Sequence, residues 1–182
     1  MRVIVAVTAA SGAIYARQCL DLLLGDSRVE RIALIYSTHA KEVAKAEGVT
    51  LPEDSRIELF DNENIWASPA SGSARWDSMI IVPSTMGTIA RIASGISQSL
   101  IERSADVMLK ERRKLVIVAR EAPYSLIHLR NMTTLTEAGA VIIPASPSFY
   151  FKPQTIDELT MTISQHAVEM LGIEVKHRSW GE

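Results

Sequence analysis

The chain has little of several features that would assign it to a class of protein. Cys19 is its one cysteine among 182 residues, which excludes an internal disulfide and a thiolate metal cluster. The four histidines show no metal-ligand spacing, so we expect no structural or catalytic metal. No apolar run approaches the roughly 20 residues of a membrane-spanning helix, and the start lacks a signal-sequence pattern. The sequence therefore predicts a cytoplasmic protein without a membrane span.

An excess of charge of one sign is also missing. The chain carries 19 basic and 21 acidic residues, and the basic ones are scattered except around 110–114. A nucleic-acid partner is therefore not expected. No repeat or change in composition divides the chain, and its length suits one domain with a full-sized core. We predict a single domain over 1–182.

Short apolar runs alternate with amphipathic stretches. The runs are 3–7, 32–36, 79–82, 115–119 and 141–143. Such alternation is typical of an α/β fold, and we predict a single-domain, doubly wound parallel sheet of five strands, flavodoxin-like or Rossmann-like. Helices are predicted from Ser11, as the capping residue, to about Gly25, and over 124–138 and 155–171.

Small and hydroxylated residues follow the predicted strands. These segments are 8–12, 37–39, 83–88 and 144–147. Ligands bind beyond the carboxyl ends of parallel strands, where N–H groups and hydroxyls suit a phosphate. Any one of these hydroxyls could instead be a helix cap. Because the P-loop lysine and the G-x-G-x-x-G pattern are absent, a mononucleotide such as FMN is favoured over a triphosphate or dinucleotide.

The predicted strand 115–119 leads directly into a cation and a carboxylate. Its continuous apolar residues indicate a strand buried on both faces. Arg120 and Glu121 therefore stand at the predicted ligand edge. Glu121 could instead form only a salt bridge with Arg120 or Arg103.

Several motifs together resemble the UbiX-type flavin prenyltransferases over nearly the whole chain. They are Thr8-Ala9-Ala10-Ser11-Gly12-Ala13, Trp66 ahead of 68–73, Pro83-Ser84-Thr85-Met86-Gly87-Thr88, 100–107, 109–113, Arg120-Glu121-Ala122-Pro123, 128–132, 149–154 and Trp180-Gly181. Enzymes of that family join a dimethylallyl group from dimethylallyl monophosphate to N5 and C6 of reduced FMN, without a metal. The prenylated FMN serves a UbiD-type decarboxylase, which is the partner that the resemblance implies.

The resemblance implies site residues of two kinds. FMN-binding positions are Ala9, Ala10, Ser11, Ser37, Thr85, Met86, Gly87, Thr88 and Arg120. The prenyl-phosphate site is implied to contain Glu47, Lys110, Arg120, Tyr150 and His166, with Trp66 and Trp180. Cations and donors on the phosphate assist its departure, and tryptophan faces stabilise an allylic cation. Glu121 is the candidate base for the C6 proton.

Plainer roles stay open for several of these residues. Lys110 could be a solvated helix charge, and Tyr150 and the tryptophans could be packing residues. Trp180 lies in a polar tail, 172–182, which we expect to close over an active site, its own or a neighbouring subunit's.

The chain departs from the family pattern at three points. Ala9 replaces a glycine, which requires a negative φ or room for a methyl group. Ser84-Thr85 replaces Cys-Ser. His166 replaces an arginine, which makes a permanent charge pH-dependent and puts the preferred prenyl phosphate in question.

Two other functions remain open. One is a cysteine-type flavoprotein decarboxylase, whose motifs are not apparent in this sequence. The other is a carrier subunit that delivers unmodified FMN to a decarboxylase. The family forms dodecamers with active sites between subunits, and we expect Ile89, Ile92 and Ile96 to contribute to subunit contacts.

Overall fold

A computed structural model gives the positions of residues 1–175. Its strands are β1 (Arg2–Val7), β2 (Arg31–Tyr36), β3 (Ile57–Phe60), β4 (Ser78–Ser84), β5 (Lys114–Ala119) and β6 (Val141–Pro144). Its helices are α1 (Ala13–Gly25), α2 (Ala40–Ala46), α3 (Met86–Ala93), α4 (Leu100–Lys110), α5 (Leu126–Glu137) and α6 (Ile156–Met170). Two short 3₁₀ turns, Ser68–Ala70 and Gly72–Ala74, precede β4.

The six strands form one parallel sheet in the order β3-β2-β1-β4-β5-β6. The strand order reverses between β1 and β4, as in a Rossmann-type sheet. This confirms the predicted doubly wound α/β fold. The predicted number of five strands is wrong, because β3 was missed. β3 is an edge strand of four residues, and Leu59 within it is 57% exposed. It therefore lacks the continuous apolar run that marks a buried strand.

The sheet is covered on both faces. Val3, Val5 and Val116 point to a core layer shared with α1 and α6. Ile4 and Ile117 point to the opposite layer, which α3 and α4 cover. This double burial explains the uninterrupted apolar sequence of the central strands.

Cys19 lies fully buried in the α1 layer. Burial raises the pKa of its thiol to about 12, so the group stays protonated near neutral pH. Cys19 is therefore a core residue, as predicted. In residues 1–175, no cluster of potential ligands could hold a metal ion.

Four lateral hydrogen bonds join the chain segments that leave the sheet. They run from Ser37 N–H to Val7 O (2.9 Å), Thr8 N–H to Pro83 O (3.2 Å), Arg120 N–H to Ser84 O (3.1 Å) and Ala145 N–H to Ala119 O (2.9 Å). They extend the parallel ladder beyond the strands. The loops after β2, β1, β4, β5 and β6 are thereby aligned along one edge.

The apolar surface differs from the prediction. Ile89 and Ile92 are buried in the chain's own core, and only Ile96 of the three is partly open. The reason is that α3 turns its isoleucines toward the sheet. On α5, in contrast, Leu126 and Ile127 are exposed. Among the helices of residues 1–175, none is both long and apolar enough to cross a membrane.

Candidate active site

The start of α3 lies at the point where the strand order reverses. The Thr85 hydroxyl caps the helix by accepting from the Thr88 N–H at 3.2 Å, and the two hydroxyls lie 3.0 Å apart. The N–H groups of Met86 and Gly87 belong to the first turn and have no acceptor within the helix. Such groups, together with the helix dipole, favour an anion. The start of α3 therefore offers a phosphate site.

The loop after β1 faces α3 across the same point. Ala9 and Ala10 are not among the residues of positive φ, so the methyl group at position 9 fits the backbone, as the prediction required. Gly12 has a φ of 105°, and a Cβ there would lie 2.8 Å from the Tyr15 ring. A glycine is therefore needed at position 12 but not at position 9.

Glu47 comes from the end of α2 and holds this loop. Its carboxylate accepts from the Gly12 N–H at 2.9 Å and from the Ala13 N–H at 2.8 Å. The predicted capping of α1 by Ser11 is therefore wrong, because Glu47 supplies the acceptor and Gly12 is the cap residue. Local sequence could not reveal this contact between distant parts of the chain.

The electrostatics of Glu47 connect it to Ser11 and Arg120. Burial alone would raise the pKa of Glu47. Hydrogen bonds from Ser11, Gly12 and Ala13, together with the positive charge of Arg120, lower this pKa below its ordinary value. Glu47, Ser11 and Arg120 thus share one part of the edge, and the carboxylate is ionised at neutral pH.

Glu121 follows Arg120 and is half-buried. Its Oε1 accepts from the N–H of Ala122 at 3.0 Å. Within residues 1–175 Glu121 forms no ion pair, while Arg103 is paired with Asp106 at 2.6 Å. The salt-bridge alternative for Glu121 is therefore not found, and its carboxylate is left available for chemistry.

These residues have the composition of a flavin mononucleotide site. The edge supplies backbone N–H groups, hydroxyls, small side chains and the guanidinium of Arg120, which suit a phosphate and a hydroxylated chain. Ser37 lies at the same edge, where a cleft of about 700 Å³ opens between it and 59–63. The predicted FMN positions are thus brought together within one chain.

Two predicted residues of the prenyl-phosphate site lie elsewhere. Lys110 ends α4 just before β5 begins, and its ammonium is paired with Glu111. Arg120 follows the six-residue strand, so about 20 Å of β5 separates the two positions. His166 lies in the second half of α6, with Nδ1 3.7 Å from Glu169. One chain alone therefore does not join Lys110 and His166 to Arg120.

The predicted aromatic residues are on the surface. Trp66, in the connection from β3 to β4, is 92% exposed, and Tyr150 is 71% exposed. Phe149 and Ile156 are exposed near Tyr150 in sequence. Exposed large apolar groups of this kind mark protein interaction surfaces. Trp180, with the rest of 176–182, lies outside the described residues.

Thr8 was missed as a site residue, although it begins the first motif. It is 2% exposed, and its hydroxyl links the end of β1 to the segment that leaves β4, across the reversal point. The available signal was a hydroxyl placed directly after a buried strand.

Comparison with known proteins agrees with this geometry. The flavoprotein family model matches residues 1–169. A protein named flavin prenyltransferase UbiX from Methanocaldococcus jannaschii is 37% identical, over 100% of this chain and 99% of its own. The structure of AnUbiX (PadA1) in complex with FMN and dimethylallyl pyrophosphate has a TM-score of 0.89 and 39% identity, with 98% of each chain covered.

A third protein adds information on assembly. The dodecameric FMN-dependent UbiX-like decarboxylase from Escherichia coli O157:H7 has a TM-score of 0.91 and 35% identity, with both chains fully covered. Identity at this level over whole chains, together with the family model, is sufficient to assign the family. The chain belongs to the flavoprotein family and, within it, to the UbiX flavin prenyltransferases.

Proposed function

We propose that this chain transfers the dimethylallyl group of dimethylallyl monophosphate to N5 and C6 of reduced FMN. The product, prenylated FMN, passes to a UbiD-type decarboxylase. One observation carries the proposal: Arg120 and Glu121 follow β5 at the edge where the β1 loop and the start of α3 form a flavin site. A cation and an ionisable carboxyl group thereby stand beside the flavin.

FMN is bound by the residues that the chain itself brings together. Met86 and Gly87 donate their first-turn N–H groups, and Thr85 and Thr88 add hydroxyls. Ala9, Ala10 and Ser11 form the facing loop, and Ser37 follows the neighbouring strand. Glu47 holds that loop in place through the start of α1.

Arg120 assists the departure of phosphate. The allylic C–O bond breaks with its electron pair going to the phosphate, so positive charge near the phosphate lowers the barrier. Lys110, Tyr150 and His166 add donors to the same group in this proposal. Trp66 and Trp180 supply aromatic faces to the electron-deficient allyl group.

Glu121 accepts the proton that leaves C6 when the new ring closes. Its carboxylate has no ion-pair partner in residues 1–175, so it is free to act as a base. The bond to N5 replaces the C–O bond to phosphate and the N5 proton is lost. Ring closure then adds C6 to the prenyl double bond: the other carbon of that bond takes up a proton, and the proton on C6 passes to the Glu121 carboxylate.

Neighbouring subunits complete the site. Lys110 and His166 lie away from Arg120 in one chain, and the exposed Trp66, Tyr150 and Ile127 offer contact surface. The proposal therefore includes a homo-oligomer, of twelve subunits as in the Escherichia coli structure. It also includes a single domain whose tail, 172–182, closes over a site, and a cytoplasmic location. Light scattering on the purified protein tests the subunit number, and cell fractionation tests the location.

Anaerobic incubation of the purified chain with reduced FMN and dimethylallyl monophosphate tests the activity. Mass spectrometry of the extracted flavin is expected to show the gain of one C5 unit. Dimethylallyl diphosphate and geranyl monophosphate, run in parallel, test leaving group and chain length. FMN that stays unmodified with every donor would contradict the proposal and favour the carrier function.

A further inference from the structure

Thr8 occupies a position between the two loops of the flavin edge. It is the first residue after β1 and is 2% exposed. Its Oγ1 donates to the carbonyl oxygen of Pro83 at 2.8 Å and accepts from the N–H of Thr85 at 2.9 Å. One buried hydroxyl therefore bonds two backbone groups of the β4 loop.

The bond to Thr85 acts on the start of α3. Thr85 is the residue that caps this helix, so fixing its N–H fixes where the first turn begins. The N–H groups of Met86 and Gly87 follow directly. Their direction relative to the β1 loop therefore depends on a side chain that lies beneath the site.

The hydroxyl of Thr8 adds side-chain hydrogen bonds to the lateral backbone hydrogen bonds between β1 and β4. The Thr8 N–H also donates to Pro83 O, at 3.2 Å, so two donors of the same residue meet one carbonyl oxygen. The side-chain link lies between β1 and β4, where the strand order reverses. Ligands of such sheets bind in the crevice at this point.

We propose that Thr8 is a positioning residue for FMN. Its hydroxyl sets the spacing between the loop 9–12 and the start of α3, and FMN affinity depends on this spacing without contact to Thr8. The inference rests on the proposed FMN site and extends it to a residue outside that site.

Substitution by valine or serine isolates the hydroxyl. Thr8→Val keeps the side-chain shape but leaves the Thr85 N–H without its partner, while the Pro83 carbonyl keeps only the bond from the backbone N–H of residue 8. Thr8→Ser keeps the hydroxyl and removes one methyl group. If the hydrogen bonds position FMN, Thr8→Val weakens FMN binding and Thr8→Ser largely keeps it. If packing is responsible, Thr8→Ser is affected at least as much as Thr8→Val.

A matched control lies in α6, where it contacts α1 and neither Pro83 nor Thr85. Thr160 in α6 is 7% exposed, and its hydroxyl donates to Ile156 O at 2.8 Å and accepts from Gln18 at 3.0 Å. Thr160→Val removes an equally buried and equally bonded hydroxyl. It is expected to lower the melting temperature of the flavin-free protein and to leave the Kd for FMN unchanged.

The experiment measures the Kd for FMN by fluorescence, the melting temperature without flavin, and kcat and KM for dimethylallyl monophosphate. We expect Thr8→Val to weaken FMN binding about tenfold, as loss of a buried hydrogen bond does, and Thr8→Ser to stay within about threefold of wild type. Thr8→Cys, whose thiol bonds weakly, is expected between them and serves if the valine variant does not fold.

Equal Kd values for the serine, cysteine and valine variants would overturn the inference, as would a lower melting temperature of the valine variant with unchanged Kd. If the wild-type chain binds FMN and forms product while these variants match it, the inference alone fails. If the wild-type chain binds no FMN, the proposed function fails and takes the inference with it.

Discussion

The two edges of the sheet differ in how many of the predicted site residues they bring together. At the carboxyl edge, buried hydrogen bonds of Thr8, Thr85 and Ser84 hold neighbouring loops together. At the other edge, Lys110 is half-exposed and pairs only with neighbouring Glu111 in the part of the chain that the structure describes. The comparison shows that the proposed FMN residues lie along one edge of a single chain, whereas Lys110 and Arg120 of the proposed prenyl-phosphate site lie at opposite ends of β5.

The largest effect is expected at the carboxyl edge from Glu121→Gln. The amide cannot accept the C6 proton, so ring closure should fall by at least about 100-fold. FMN binding should be unchanged, because the loop contacts of Thr85 and Gly12 remain. Mass spectrometry of the flavin and an FMN titration measure the two quantities. Undiminished output of prenylated FMN would remove Glu121 from the role of base.

The next largest effect is expected from removing Lys110 at one edge of the sheet or Arg120 at the other. Lys110→Met and Arg120→Met should each reduce turnover by about 10- to 100-fold, since each removes a cation from the phosphate. Co-expression of the two variants should restore activity to about a quarter of wild type, since each contributing subunit is intact half the time.

The control is the double variant Lys110→Met, Arg120→Met co-expressed with either single variant. Every chain of such an assembly lacks the same residue, so no intact site can form. Restoration by co-expression must be absent there. If co-expressed single variants stay as inactive as each alone, Lys110 and Arg120 do not act on one phosphate from different subunits.

A third prediction concerns the contact of Gly72 with Glu111, at the edge of the sheet that holds Lys110. A Cβ at Gly72 would lie 2.8 Å from Cδ of Glu111, the partner of Lys110. Arg113 also donates to Gly72 O at 2.8 Å. Gly72→Ala should displace the Glu111 carboxylate from Lys110 and cost less than about 1 kcal/mol of stability, because the end of this partly exposed side chain can move aside. It should raise the KM for dimethylallyl monophosphate and leave the Kd for FMN unchanged.

Gly25→Ala is the matched control for this change, since its Cβ would meet no atom within 4 Å. Denaturation by urea and steady-state kinetics give the required values. If Gly72→Ala and Gly25→Ala have the same KM for dimethylallyl monophosphate, the Glu111 contact does not position Lys110.

A smaller effect is expected at His166. His166→Arg introduces a permanent cation, so the use of dimethylallyl monophosphate should improve by about two- to tenfold. Steady-state values of kcat/KM for the two proteins measure this change. Unchanged or worse turnover would show that His166 does not take the place of an arginine.

The smallest effect concerns Glu47 at the carboxyl edge. Its pKa is lowered in the folded chain, so the stability that its carboxylate contributes is present above its ordinary pKa of about 4.3 and is lost as pH falls below that. Glu47→Gln should therefore flatten the loss of stability in acid. Melting temperatures between pH 3 and pH 7 test this, and an unaltered acid profile would contradict it.

Sequence was sufficient where the physical signal is local. The central strands were recognised because Val3, Val5 and Leu115 belong to uninterrupted apolar runs, which burial on both faces requires. Arg120 and Glu121 were recognised because they end such a run. β3 escaped because half of its four residues face solvent.

Sequence was insufficient where distant segments meet. The acceptor for α1 is Glu47, from the end of another helix, so the nearby Ser11 was a misleading choice. The sequence alone does not show whether Ile92 faces solvent or the core, because this depends on the rotation of α3 about its axis. Lys110 lies far from Arg120 because α4 ends before β5 begins. The sequence motifs do not indicate this distance.

The carboxylate of Glu47 has a consequence for how a nucleotide orients itself. Two helices, α1 and α3, begin on either side of the reversal point. The first has its positive end neutralised by Glu47, whereas the second presents open N–H groups. The N–H groups of Gly12 and Ala13 at α1 are already bonded to Glu47, so the open N–H groups for an anion are those at the start of α3. We therefore expect the phosphate of FMN at α3 and not at α1, a preference that fixes which way round the nucleotide binds.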